Sequence, residues 1–295
     1  MAVHSFDVAI NKAARTFLDT LVESLDAQVV FIYGPLIDPF IPAVRDLLEA
    51  ERRVDERRRL AVVLNTPGGT AEAAEKIAGI MRHLYEAVEF VVPLMAMSAG
   101  TILCMSGDKI HMDYASSLGP IDPQVHSGND LIPASGYLDK VTELIEKSAA
   151  NTISPAELLL LQQQDLGRLM AYENAKSLTV DLLEKWLVEY KFRDWTTHRT
   201  NESKKGQPVT RAEKEERARE IAEWLGNNSY WKSHGRYIGI ERLRNMRLEI
   251  EDYSDQPELA RAVRGYHDIL VEVAETRAQA PIFLHGRAGT SDVTD

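Results

Sequence analysis

A chain of 295 residues with 44% hydrophobic and 27% charged side chains is large enough to bury a substantial core and too apolar to be intrinsically disordered. Its 34 basic and 45 acidic residues sum to −11, which argues against a protein that coats nucleic acid, because phosphate binding needs a basic footprint. A single cysteine, Cys104, can form neither an internal disulfide nor a multi-cysteine zinc site, and the expected setting is a reducing, cytoplasmic one.

The first twenty residues carry His4, Asp7, Lys12, Arg15 and Asp19, so they lack the unbroken apolar run of a secretion signal. Instead Phe6, Ala9, Ile10, Ala13, Phe17, Leu21 and Leu25 recur at helical spacing and predict an opening amphipathic helix. Val29 to Tyr33 is a short β-branched and aromatic run stopped by Gly34-Pro35, and reads as a buried strand. A helix is predicted from about Pro39 to Arg53, a second strand over Leu60 to Asn65, a helix over Thr70 to Tyr85 and a third strand over Val88 to Leu94. Strands apolar on both faces that alternate with helices indicate parallel βαβ units and an α/β domain. The uncharged run from Phe90 to Gly107 approaches the length of a membrane span. Pro93, Ser98, Gly100 and Gly107 break it into a strand, a turn and a short helix, so no membrane span is expected.

Short extended segments follow at Lys109 to Met112 and Ser117 to Ile121, after which strands are expected to cease beyond about residue 137. Ser154-Pro155-Ala156-Glu157 reads as a capping box opening a helix to about Ser177, with another over Val180 to Tyr190. The polar stretch 196–209 reads as a linker, Thr210-Arg211-Ala212-Glu213 as a second capping box, and Gly239 to Met246 and Pro257 to Arg277 as further helices. The expected organisation is an α/β domain over 1–195, a linker over 196–209, a helical appendage over 210–285 and a flexible tail over 286–295.

Two loops carry the chemistry. Asn65-Thr66-Pro67-Gly68-Gly69 and Met97-Ser98-Ala99-Gly100-Thr101 both follow predicted strands, and in a parallel sheet such loops share the edge where α/β proteins bind ligands. Paired glycines leave backbone N–H groups free to approach a ligand oxygen, and a serine at a strand-to-helix turn is placed to attack. Together they form a candidate nucleophile and oxyanion hole.

These loops, with Val29 to Gly34 before them and Leu118-Gly119-Pro120-Ile121-Asp122-Pro123-Gln124 after them, resemble the Clp-fold serine peptidases over roughly residues 25 to 190. The Gly119 to Gln124 segment is most similar to the serine dehydrogenase proteinase branch, and signal peptide peptidase A is a further relative. The resemblance implies a ClpP/crotonase-like fold and a serine endopeptidase in which Ser98 is the nucleophile, the N–H groups of Gly69 and Ala99 form the oxyanion hole, and Gly68 shapes the turn.

The general base stays open. The Clp proteolytic subunit has a histidine about 25 residues after its serine, whereas here His126 follows at 28 residues and outside the matching segment. Signal peptide peptidases use a lysine some 40 to 50 residues on, a window that holds Lys140 and Lys147. A lysine serves only if an apolar pocket depresses its pKa, and Tyr137, Leu138 and Val141 make Lys140 the preferred choice. His234, in the aromatic and basic run Asn228 to Arg236, reads as a packed loop or a partner contact, with a part in catalysis as the fallback.

The sequence holds no His-Glu-x-x-His, no paired-cysteine set and no Walker-type loop, so no metal or cofactor is expected. A peptide or protein substrate, a homo-oligomeric ring and a separate ATPase partner are what the resemblance implies. The same fold also accommodates a crotonase-type acyl enzyme that needs no serine, or a silent adaptor, for which the missing Clp-type histidine is the argument.

Overall fold

The computed structural model describes residues 5–127, 130–199, 201–277 and 282–293. Helix α1 (Ser5–Leu25) leads into β1 (Gln28–Tyr33), α2 (Ile41–Val54), β2 (Arg59–Asn65), α3 (Ala71–Leu84) and β3 (Ala87–Val92). Then come β4 (Met95–Ala96), α4 (Ala99–Met105), β5 (Lys109–Met112), β6 (Ser117–Leu118) and the hairpin β7 (Gln124–Ser127) and β8 (Asp130–Pro133). The helices α5 (Ala134–Ala149), α6 (Pro155–Gln162), α7 (Leu166–Trp186), α8 (Arg211–Leu225), α9 (Asn228–Trp231) and α10 (Ile240–Asn245) precede β9 (Glu251–Asp252), α11 (Pro257–Arg277), β10 (Ile282–Gly286) and β11 (Gly289–Val293).

The predicted strands pair in parallel, β1 with β2, β2 with β3 and β3 with β5, in a seven-stranded sheet of order β11-β10-β1-β2-β3-β5-β9. Side-chain alternation divides these strands between two cores. Val30, Ile32, Val62 and Leu64 face α2, α3 and α4 on one side, while Val29, Phe31, Ala61 and Val63 pack with α1 and α11 on the other. The fold is therefore α/β, with a largely parallel sheet covered on both faces by helices.

The C-terminal third departs from its reading as a helical appendage. Strand β9 adds in parallel to β5, β10 runs antiparallel against β1, and β11, expected to be a frayed tail, pairs with β10. Ala218, Ile221, Leu225, Trp231, Ile238 and Leu243 lie in the same core as β1 and β2, so residues after 210 complete the domain. The stretch read as a linker is itself folded back, with a bridge between Thr197 and Pro208. The helix expected from Ser154 is interrupted: α6 has the predicted capping box, but Asp165 accepts from the N–H groups of Gly167 and Arg168 and starts α7 afresh.

The β10 strand is tied in by Glu51, whose carboxylate accepts the Ala288 N–H, and by a hydrogen bond between Tyr266 and His285. Burial pushes the titration of His285 down to about 4, with Arg15 adding to the effect. The unfolded chain therefore binds more protons than the folded one between about 6.5 and 4, and stability should fall as pH drops through that window. Thermal melts at pH 7 and pH 4.5 test this against His285→Phe, which should lose less on acidification than the wild type.

Candidate active site

Ser98 sits one residue before α4, with φ 50 and ψ −114, a left-handed conformation that is strained for a residue with a side chain. Every residue of α4 is buried, so the strained turn is locked from below and Ser98 itself stays partly exposed. Met97 N–H donates to Thr66 O and Thr66 N–H donates to Met95 O, both at 3.0 Å, which joins the serine loop to the glycine loop. Among the described residues the Ser98 hydroxyl has no hydrogen-bond partner.

The glycine loop shows why these residue types are needed. Gly68 has φ 113, and a Cβ there would lie 2.9 Å from both Met97 O and Ser98 Cβ. Gly69 has φ 155 and runs so close to the next strand segment that a Cβ would be 1.9 Å from Leu36 O. Leu36 N–H donates to Gly68 O and Thr70 N–H donates to Leu36 O, so the Gly69 N–H points away from Leu36. Neither that amide nor the Ala99 amide has an acceptor among the described residues, the condition an oxyanion hole requires. Gly69→Ala should cost more than about 2 kcal/mol, since backbone strain and a main-chain clash combine. Denaturant titration checks it, and a change under 0.5 kcal/mol would contradict the close approach.

The sequence-predicted bases are placed as follows. Lys140 lies on α5 with its side chain 61% exposed and 2.8 Å from Glu143, so the apolar pocket expected around it is not there. Lys147, on the same helix, is held by Glu143 at 2.8 Å and Glu157 at 2.7 Å, and hydrogen bonds to these two carboxylates raise its pKa above the ordinary lysine value. So held, the amine stays protonated at neutral pH and has no lone pair with which to take a proton from serine. His126 is in β7, and its side chain lies outside the described residues.

A second pair, His234 and Asp122, lies on segments tied to the serine helix. His234 Nδ1 is 2.9 Å from Oδ1 of Asp122, whose side chain is only 1% exposed and whose Oδ2 accepts from Gln124 Nε2 at 2.9 Å. A carboxylate only accepts, so Nδ1 carries a proton, an arrangement that in the neutral imidazole leaves the lone pair on Nε2. The strand segment after His234 is bridged to β6, with Ile238 N–H donating to Leu118 O at 2.8 Å and Leu118 N–H donating to Ile238 O at 3.0 Å. The next residue, Gly119, donates to the Thr101 hydroxyl of α4 at 2.9 Å. Through these bonds the Asp122 segment and the His234 loop are both hung on the helix that Ser98 begins.

Parallel βαβ units, a left-handed serine at a helix start and two unpartnered loop amides define a ClpP-like architecture. The sequence profile of the ClpP-like SDH-type serine proteinases matches residues 28–204, well over half of the chain, and the chain belongs to that family. Two uncharacterized proteins of Methanocaldococcus jannaschii are similar to it, one 31% identical over 108 residues and one 36% identical over 80. Those matches cover 37% and 27% of this chain, and only 36% and 28% of the relatives' own lengths. Among solved structures, a membrane-bound stomatin-specific protease (alanine variant) is similar over 79% of this chain and 82% of its own, with TM-score 0.46 and 14% identity. ClpP1 from Listeria monocytogenes matches over 83% and 98%, with TM-score 0.45 and 13% identity. No helix among the described residues is long and apolar enough to cross a membrane.

Proposed function

We propose that the protein is a serine peptidase in which Ser98 attacks the scissile carbonyl, the Gly69 and Ala99 amides hold the oxyanion, and His234 oriented by Asp122 is the general base. The observation that carries this reading is the coincidence at one sheet edge of a strained, unpartnered serine hydroxyl with two unpartnered amides. Nε2 of His234 takes the Ser98 proton as the tetrahedral species forms, and returns it to the leaving amine. The buried Asp122 carboxylate keeps the imidazole in the tautomer this requires and stabilises the imidazolium. Each amide donor is worth about 3 kcal/mol of transition-state stabilisation.

A fluorophosphonate probe tests the reading directly. Stoichiometric labelling, mapped by peptide mass spectrometry to the segment containing Ser98, is the expected result. Labelling at any other residue, or none with a folded protein, would overturn it.

A homo-oligomer belongs to the same proposal. Leu159, Leu160, Leu166 and Met170, on α6 and α7, are more than half exposed, and large apolar side chains left to solvent on neighbouring helices fit an interface. Light scattering at micromolar concentration should give a multiple of the 33.1 kDa chain mass, and a monomer would contradict it. A protein or peptide substrate fits the cleft chemistry, and an ATPase feeding it would act as a separate partner.

A further inference from the structure

A cavity of about 790 Å³ opens at the other end of the sheet from Ser98. Asp108 and Lys109, at the N-terminal start of β5, and Glu251, the first residue of β9, lie on its wall, whereas Ser98 and the glycine pair follow the C-terminal ends of their strands. The two sites are thus separated by the length of the strands. Tyr190, Phe192 and Trp195 give the cavity an aromatic side, and its volume is in the range of small-molecule pockets.

The group that needs explaining is Lys191. It ends a π-helical turn, Leu187–Lys191, an irregularity that α7 adopts just where it reaches the cavity. Its Nζ is buried and has no hydrogen-bond partner among the described residues. A buried amine left unpaired is costly, and native structures rarely keep one without a use. The surrounding charges do not meet its need: Asp108 is taken by Arg82 and Arg193, and Glu251 pairs with Lys109. Elsewhere on the wall Glu213 is held by Lys204 and His198, and Glu220 by Arg217. Arg199 and Arg247 also lack carboxylate partners among the described residues, and Arg247 holds a left-handed φ of 62. Asp194, Glu216 and Glu249 are unpaired too, but these three are exposed to solvent, which screens them, while the amine is buried.

We infer that this cavity is a second ligand site, in which a small organic carboxylate accepts a hydrogen bond from Lys191 and lays its apolar part against Tyr190, Phe192 and Trp195. The site is independent of the peptidase reading, since no residue of it belongs to the serine cleft. Facing the amine are Cys104 of α4, Asp108 before β5, and Glu249 and Glu251 around the start of β9. Burial pulls the Lys191 pKa down to about 8, so the empty site is mostly charged at pH 7 and mostly neutral at pH 9.

Calorimetric titration of the full chain with phenylacetate, beside its neutral isostere phenylacetamide, tests the inference. Saturable binding of phenylacetate at pH 7 is expected, with at least tenfold weaker binding of the amide. Affinity for phenylacetate should fall by about tenfold per pH unit above about 8, as the amine loses its proton. Lys191→Met should lose at least about tenfold in affinity while melting no lower than the wild type, because it removes an unpaired buried amine. Should that variant fail to fold, Arg247→Ala at the cavity mouth replaces it, with about threefold weaker binding expected from the lost cation. Ser98→Ala should bind as the wild type does. Absence of binding, equal binding of acid and amide, unchanged affinity in the folded Lys191 variant (or in Arg247→Ala where it stands in), or weakened binding in Ser98→Ala would each overturn the proposal.

Discussion

Ser98→Ala is expected to lower peptide turnover by at least about 10³-fold, leaving only what the amide pair and substrate binding contribute. Alanine inherits the same left-handed backbone, so its melting temperature should stay close to that of the wild type. Ser98→Gly separates strain from chemistry. Glycine occupies φ 50 without steric cost, and relief of about 1 kcal/mol or more of backbone strain should raise the melting temperature while turnover is lost just as fully. A glycine variant that melts lower than the alanine variant would mean that the turn is not strained. Retained turnover in both variants would remove Ser98 from the chemistry altogether.

The second large effect concerns the base. His234→Ala should lower turnover by about 10³ to 10⁴, and Asp122→Asn by a similar factor, because an amide in place of the carboxylate favours the wrong imidazole tautomer. Lys140→Ala, which removes an exposed ion pair with Glu143, should leave turnover within about twofold and stability within about 0.5 kcal/mol. The double variant His234→Ala with Asp122→Asn should be little worse than either alone, since the two act as one unit. A turnover loss in Lys140→Ala with His234→Ala unimpaired would give the proton transfer back to the lysine.

The parallel strands were legible because Val29 to Tyr33 and Leu60 to Asn65 are apolar on both faces and bounded by turn residues. The glycine pair was legible because its close approaches exclude a side chain, and the serine because it follows a predicted strand at the start of a helix. The base proposed for the serine was less legible. The resemblance points to a window within 50 residues of Ser98, whereas His234, read only as the fallback, lies 136 residues beyond it and its segment is tied to β6 by the pairing of Ile238 with Leu118. Asp122 stood inside the recognised Gly119 to Gln124 segment, yet a carboxylate there acquires meaning only once its histidine is known. The one available signal was the unusual His234 cluster of aromatic and basic residues in an otherwise acidic chain. The late strands were missed for a related reason: Ile282-Phe283-Leu284 is too short to separate from a helix end by periodicity.

The place of β10 has a consequence for how the chain is made. Strand β1 is synthesised long before β10, one of its two flanking partners, which is supplied from residue 282 onward, beside β11. Until residues 282–286 emerge from the ribosome, the β1 edge carries unpaired backbone groups and offers itself to any extended strand nearby. Pairing between such distant segments is slow to form, and the nascent molecule spends that interval exposed to association with its neighbours. Expression should accordingly be sensitive to the C-terminus in a way that has nothing to do with catalysis: a stop after residue 277 should yield aggregated protein, whereas the same shortened chain supplied in trans with a 278–295 peptide should be partly recovered in the soluble fraction.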